Sequence, residues 1–333
     1  MAKLSVVILN WNGRYHLERY LQSVVAHTTG DAEVVVVDNG STDDSVAWLK
    51  RNYPDVRVVC LDKNYGFAGG YNRGLKSIDT PYSLLLNSDV EVTDGWWQPL
   101  VAILDSEADV AVVAPKLRAA AEREMFEYAG ASGGFIDYLG YPFCRGRILS
   151  SVERDEGQYD TRRDIFWASG AAMCCRREAF DALGGFDEEF FAHMEEIDLQ
   201  WRMQLSGWRI VIEPRAVVYH LGGGTLPPSP QKIYLNHRNN LAMLYKCSTP
   251  LQRAVVAIIR PFTDALEAVG YLVMLQPRKA WAIVRAWGSF IAWHERLYRE
   301  RRAIKRRKRA VGIYHFSIVL RYLCGLRHFN NMM

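Results

Sequence analysis

The 333-residue chain has no paired-cysteine metal motif, no G-x-G-x-x-G after its first strand, no internal repeat and no long uncharged apolar run. Each absence removes a class. The six cysteines (Cys60, Cys144, Cys174, Cys175, Cys247, Cys324) lack the C-x-x-C spacing of zinc or redox sites. They are expected as reduced, buried thiols, which suits a cytosolic setting. The longest apolar stretch, 251–276, is interrupted by Arg253, Arg260, Asp264 and Glu267, so it falls short of the ~18–20 apolar residues of a membrane span. A strand expected within a few residues of the N-terminus leaves no room for a signal peptide. A dinucleotide-binding fold is disfavoured, because the first strand runs into Asn10-Trp11-Asn12-Gly13, and Gly66, Gly69 and Gly70 come after the third strand at the wrong spacing. No nucleic-acid recognition motif occurs either.

What is present is ordinary globular material, 49% apolar and 23% charged, in a length that buries a sizeable core. The net charge of +4 hides an asymmetry. Residues 231–333 hold 19 Lys/Arg against 4 Asp/Glu, and residues 1–230 hold 22 against 33. The basic part therefore suits an anionic surface. Apolar runs at 4–9, 33–37, 57–61, 84–86 and 110–114 alternate with helical periodicity at 14–26, 43–53, 66–76 and 96–104. That order predicts an α/β fold with a doubly wound, mostly parallel sheet. Beyond residue 118, the reading is irregular strands or a hairpin at 125–141, a mobile polar loop at 149–163 and a strand at 165–174. A helix at 176–183, a helix ending at Gly207 and short strands at 209–212 and 216–219 follow. The breaker run 222–230 marks a boundary between domains 1–229 and 230–333, the second read as helices only.

Three places carry candidate chemistry. Leu84-Leu85-Leu86-Asn87-Ser88-Asp89 reads as a buried strand whose carboxyl end turns Asn87 and Asp89 to one side. Ligands bind at that end of open α/β sheets, and a hard carboxylate there suits a hydrated divalent cation bridging to phosphates. A second metal ligand would be needed, and His220, at a strand end before three glycines, is the best placed. Asp38 ends the second strand and reads either as a ribose or nucleobase ligand or as a cap for Asn39-Gly40-Ser41-Thr42. Glu195, Glu196 and Asp198 open a helix. They are helix-start acids with an Asp198–Arg202 pair, or a general base whose pKa is raised by Phe190, Phe191, Met194 and Trp201.

These segments occur in one order with Ser169-Gly170-Ala171, Asn64-Tyr65-Gly66-Phe67-Ala68-Gly69-Gly70-Tyr71-Asn72 and Gly184-Gly185-Phe186-Asp187-Glu188. Over roughly residues 3–245 the chain resembles family 2 glycosyltransferases, in the branch of bacterial rhamnosyltransferases and related cell-surface polysaccharide enzymes. The resemblance implies a GT-A fold, a nucleoside-diphosphate sugar donor (dTDP-rhamnose or a UDP-sugar), a divalent cation (Mg²⁺ or Mn²⁺) and inversion at the anomeric carbon. It implies donor contacts from Asn10, Trp11, Asn12, Asp38, Asn39, Gly69, Asn72, Asn87, Ser88 and Asp89, and a cation on Asp89 and His220. The base falls among Glu196, Glu195 and Asp198, and Trp167, Ser169, Gly170 and Ala171 line the sugar and acceptor cleft. Asn87 replaces the first acid of the family's D-x-D motif, and Glu196 stands where many relatives carry Asp. The competing readings are an idle nucleotide-sugar-binding scaffold and a nucleotidyltransferase, the latter lacking a basic, Gly-rich phosphate loop after strand one. Residues 281–293 are aromatic at helical spacing, and 296–309 hold nine basic residues and one acid. Together they suit peripheral attachment of 281–309 to an anionic membrane, at the inner face if the chain is cytoplasmic, where a glycan or lipid-linked acceptor lies.

Overall fold

A computed structural model describes residues 2–222 and 229–332. The first half alternates as expected: β1 (Leu4–Asn10), α1 (Arg14–His27), β2 (Ala32–Asp38), α2 (Ser45–Asn52), β3 (Arg57–Cys60), α3 (Gly66–Leu75), β4 (Tyr82–Asn87), β5 (Val90–Val92), α4 (Gln98–Ser106) and β6 (Val110–Ala119). Short strands β7 (Gly134–Asp137), β8 (Pro142–Cys144), β9 (Arg147–Ile148), β10 (Ser151–Val152) and β11 (Arg163–Asp164) come next. They are followed by β12 (Ala172–Arg176), α5 (Arg177–Ala182), α6 (Glu195–Ser206) and β13 (Arg209–His220). The C-terminal part is α7 (Pro230–Cys247), α8 (Pro250–Val273), α9 (Pro277–Ala292), α10 (His294–Ala303), β14 (Ile313–Tyr314) and α11 (Ile318–Leu323).

The main sheet runs β11-β13-β6-β12-β4-β1-β2-β3, with β5 added on β13. β1 pairs in parallel with β2 and β4, and this register places Asn10 beside Asp38 and Leu9 beside Asn87. The chain leaves β1 on opposite sides toward β2 and β4, a switch point where the strand ends leave a crevice for a ligand. Period-2 alternation divides the core. Leu4, Val6 and Ile8 pack with Leu17, Leu21 and Leu100 on one face, while Val7 packs with Tyr71 and Leu75 on the other. Antiparallel β12 brings residue 171 to β4, where Asn87 N donates to Ala171 O at 2.9 Å. Antiparallel pairing of β13 with β5 sets His220 opposite Val90 and hence next to Asp89.

Several expectations change. Residues 209–212 and 216–219 belong to one strand, bent by an irregularity between Glu213 and Val217; Pro214 and the polar Arg215 hid its continuity. Of the strand expected at 165–174, only the stretch from Ala172 onward is strand, since residues 165–171 are apolar because they are buried in irregular backbone. The polar stretch 149–163 is largely exposed but anchored: Asp155 pairs with Lys116 at 2.8 Å, and Tyr159 donates to Glu153 at 2.9 Å. The region beyond 230 is not helical throughout. β14 pairs in parallel with β7 to close a five-stranded second sheet, and Ile318 and Phe329 are buried against it. A two-residue strand has no periodicity to detect. Cys144, Cys174, Cys175 and Cys247 are buried free thiols as expected, but Cys60 and Cys324 are exposed. The breaker run chosen as the domain boundary lies mostly outside the described residues. Buried residues on either side of it, such as Leu199 and Leu244, share one hydrophobic cluster.

Candidate active site

The nucleotide corner forms where β1 and β2 end. Asp38 is buried and accepts from Asn10 Nδ2 at 3.0 Å and from Ser41 N at 3.0 Å, so it does cap its own turn. Asn12, at φ 50°, accepts from Thr42 N at 2.7 Å and ties the first loop to the second. Trp11 leaves its ring largely exposed, and a planar ring free at a strand end suits stacking on a base. Asn39 is a brace: it donates to Asn64 Oδ1 and Gly66 O and accepts from Tyr65 N. Asn72 is likewise engaged, exchanging hydrogen bonds with the backbone of Phe186. Gly69 sits tightly against Tyr65 and Arg73 on α3.

The second corner gathers Asn87, Asp89 and His220. Asp89 Oδ1 lies 3.2 Å from His220 Nε2, and Asn87 Nδ2 lies 3.4 Å from the same nitrogen. Ser88 faces Gly13 of the first loop. Behind the imidazole stands Glu127, buried, with Oε1 3.3 Å from His220 Nδ1. Sequence reasoning missed Glu127, which lies in an irregular glycine- and aromatic-rich stretch; an acid in an otherwise apolar neighbourhood was the only signal. Burial would lower the His220 pKa, yet the carboxylates of Asp89 and Glu127 raise it to about 10. Burial likewise raises the Asp89 carboxyl, and His220 outweighs it to hold the group below its ordinary range.

Among the described residues, no three His, Cys, Asp or Glu side chains form a complete metal cage. The pair present fits a cation shared with a substrate. Asp89 Oδ2 is buried without a partner, and an unsatisfied carboxylate oxygen beside an imidazole is a donor set that hard and borderline cations accept.

The third corner is the start of α6. Phe191, His193 and Met194 take positive φ (63°, 71° and 70°) immediately before Glu195, strain of the kind that persists where neighbours enforce it. The neighbours are identifiable. Phe67 N, at the α3 N-terminus, donates to Phe191 O at 2.7 Å. Asn239 Nδ2 on α7 lies 3.0, 2.9 and 2.8 Å from the carbonyls of Phe190, Ala192 and His193, and Arg238 donates to Glu189 O and Phe190 O. A side chain added to Gly66 (φ 72°) would overlap Phe191 at 2.5 Å, so that close approach needs glycine. Gln200, one turn after Glu196, donates to Ala168 O at 2.8 Å and accepts from Ala168 N at 2.6 Å. Ala168 leads directly to the Ser169–Ala171 turn bonded to Asn87, so α6 is tied to the end of β4.

Glu195 and Glu196 each keep a buried oxygen without a partner. Burial, with Glu196 and Asp198 nearby, pushes the Glu195 carboxyl well above the usual range. Burial raises Glu196 to about 7, opposed by backbone N–H groups of the helix start. Asp198, the third candidate base, is instead fully buried in a charge cluster, 2.8 Å from Arg202 and 2.9 Å from Lys246. Lys246 also meets Asp187 at 2.7 Å, and Arg296 meets Asp187 at 2.8 Å. Trp167, expected in the cleft, belongs to the core, where its Nε1 donates to Phe135 O at 3.0 Å. Ser169 caps Ala171 N at 3.2 Å, and Gly170 packs on Phe67.

The family described as Glycosyl transferase family 2 matches residues 5–184. The chain belongs to this family. It is 30% identical over 240 residues to the N-acetylglucosaminyl-diphospho-decaprenol L-rhamnosyltransferase of Mycobacterium tuberculosis, covering 65% of this chain and 75% of that protein. Among solved structures, the TarS 1–349 fragment of S. aureus in complex with UDP-GlcNAc aligns with a TM-score of 0.56 at 19% identity, over 90% of this chain and 83% of that one. GalNAc-T7 with UDP, GalNAc and Mn²⁺ aligns with a TM-score of 0.58 at 19% identity, over 74% of this chain and 48% of that one. The fold is thus the GT-A type, and the protein is a glycosyltransferase. Asp38 and Asn87 stand at the carboxyl ends of β2 and β4, where ligands bind in open α/β sheets, and the start of α6 is tied to the end of β4 through Gln200 and Ala168.

Proposed function

We propose that this glycosyltransferase moves a sugar, with inversion, from a nucleoside-diphosphate donor to a hydroxyl of a lipid-linked or glycan acceptor in cell-surface polysaccharide or glycolipid synthesis. A dTDP-rhamnose or UDP-sugar donor is favoured by the likeness to the mycobacterial enzyme and to structures holding UDP-sugars. The observation that carries the reading is the unpartnered Asp89 oxygen at the end of β4, in a framework hydrogen-bonded through Ala171, Ala168 and Gln200 to a glutamate of pKa about 7.

In this reading Asp38 and Asn10 hold the base or ribose, with Trp11 over it. Asp89 would hold a Mg²⁺ or Mn²⁺ ion, joined by His220 once the cation displaces the imidazole proton, and the ion would supply Lewis-acid stabilisation of the departing diphosphate. Glu196, half-ionised near neutral pH, takes the acceptor proton. Glu195, whose carboxyl is also raised by burial and by its neighbour Glu196, stands beside it. The Gly-rich loop after His220 falls largely at 223–228, outside the described residues. The exposed part of the basic segment, Arg299, Arg302, Lys305, Arg307, Lys308 and Arg309, faces anionic headgroups. The other basic residues there are engaged: Arg301 and Arg306 donate to carbonyls at the end of α7, and Arg296 holds Asp187.

A screen of dTDP-, UDP- and GDP-sugars with Mg²⁺ or Mn²⁺, read by thermal shift and by nucleotide release onto a prenyl-diphosphate-sugar acceptor, tests the proposal. Nucleoside diphosphate and a new glycosidic bond are expected. Pyrophosphate release would mark a nucleotidyltransferase, and binding without turnover an idle scaffold.

A further inference from the structure

Helix α8 is built inside out. A helix on a protein surface ordinarily turns its apolar stripe inward and its charges to water. Here Arg260 and Asp264 are 2% and 1% exposed, while Phe262 and Leu266 are 74% and 73% exposed. Four polar groups of α8 have inward work. Arg260 bonds Asp264 at 3.0 Å, Leu139 O at 3.1 Å and Asn240 Oδ1 at 2.6 Å. Asp264 accepts from Trp287 Nε1 at 3.0 Å, Gln252 donates to Tyr138 O at 3.0 Å, and Glu267 meets His237 at 3.2 Å. Outward stand Ile258, Phe262, Leu266, Val269 and Val273, at the three- and four-residue spacing of one helical face.

The turn into α9 continues this surface. Leu272, Val273, Met274 and Leu275 are all exposed, Leu275 by 88%, and Trp281 and Val284 follow on α9. At its other end the surface adjoins a mostly apolar cavity of about 520 Å³, lined by Ala254, Ala257, Phe290 and Leu297 with Arg253 and His294 among them. An exposed apolar face of this extent marks an interaction site.

We propose that the α8–α9 hairpin is a monotopic anchor, with the α8 face and the 272–275 turn embedded in the acyl region of one leaflet of an anionic bilayer. Charge complementarity selects the bilayer. Arg278 is exposed just past the turn, and residues 231–333 hold 19 basic residues against 4 acidic ones. Twenty-four residues make a rod of about 36 Å, suited to lying in the interface plane, where such helices sink ~5–10 Å. No helix among the described residues is long and apolar enough to cross a membrane, because the inward charges of α8 break its hydropathy. This rests on and deepens the membrane part of the reading above, adding insertion through 250–275 to surface attraction through 281–309. It does not depend on which sugar is moved.

The test is flotation of the full chain with phosphatidylcholine vesicles, with and without phosphatidylglycerol, at 0.1 M and 0.5 M NaCl. Salt screens the charges and leaves insertion. Wild type should keep at least half of its phosphatidylglycerol-vesicle binding at 0.5 M NaCl. Phe262→Glu/Leu266→Glu should reduce it tenfold or more, with the donor-induced thermal shift unchanged as the sign of a folded, nucleotide-competent protein. Arg307→Gln/Lys308→Gln/Arg309→Gln should lower binding at 0.1 M only. The proposal is overturned if the double variant floats like wild type, or if wild type releases completely at 0.5 M. It is also overturned if sedimentation shows a wild-type dimer that the double variant dissolves without any vesicle binding, which would assign the face to a second copy.

Discussion

Replacing Lys246 by methionine removes the cation at the centre of the cluster that joins α6, the 187–194 loop, α7 and α10. Lys246 Nζ lies 2.7 Å from Asp187, 2.9 Å from Asp198 and 3.4 Å from Glu300, and its side chain is 2% exposed. Breaking a buried pair costs ~3–5 kcal/mol, because the partner left behind remains desolvated. Here each acid keeps one cation: Arg202 stays on Asp198 and Arg296 on Asp187. Methionine also fills nearly the same volume, so the low end applies, about 3 kcal/mol. In a chain of this size that lowers Tm by about 4 °C.

The pH dependence has a definite sign. Burial pushes the Asp187 carboxyl up, but Lys246 and Arg296 outweigh it and hold the group at about 2. A depressed carboxyl stabilises the fold above its ordinary pKa and loses that contribution as pH falls through the folded value. The gap between wild type and Lys246→Met should therefore be full at pH 7.5 and shrink as pH drops from about 4 toward 2. Urea unfolding at pH 7.5 and at pH 3 measures both numbers. A Lys246→Met protein within 0.5 kcal/mol of wild type at pH 7.5, a threshold on the order of a surface substitution, would refute the reasoning.

Glu196→Gln should lower kcat by ~10²-fold or more, the range of a lost general base, while donor affinity by titration stays within threefold; collapse in Glu195→Gln with near-normal Glu196→Gln would reassign the base. With the Glu196 pKa at about 7 and the deprotonated form active, kcat should climb between pH 6 and 8 and level above, whereas a flat profile over that interval removes the carboxyl from the rate. Asn239→Ala withdraws the amide that holds the carbonyls of residues 190, 192 and 193. It should cost ~1–3 kcal/mol of stability and lower kcat more than it raises donor KM; an unchanged kcat would mean the base loop holds its strained shape unaided.

The parallel half of the fold was legible because buried strands and periodic amphipathic helices announce themselves in consecutive residues. Asp38, Asn87 and Asp89 could be placed by strand ends alone, since each terminates an apolar run. Glu127 could not, because its role depends on a tertiary meeting with His220 across 93 positions of sequence. Asp198 was left open between two readings, and Trp167 was expected in the cleft, for a related reason: an acid at a helix start and an aromatic before a turn look the same whether they face a cleft or a core. Asp198 is decided by Lys246, a residue 48 positions later, and Trp167 by the carbonyl of Phe135. The tail shows the limit of periodicity most plainly. The aromatic stripe at 281–293 is partly core, with Trp287 on Asp264 and the Trp293 ring under Arg238. The outward apolar face lies instead on α8, whose buried charges disguised it.

The most direct test of the central claim is sugar transfer from a nucleotide sugar with Mg²⁺ or Mn²⁺, comparing wild type with Asp89→Ala at matched thermal stability. The account predicts nucleoside diphosphate and glycosylated acceptor from wild type, and a loss of at least ~10²-fold in Asp89→Ala. An Asp89→Ala protein that transfers at the wild-type rate would contradict it.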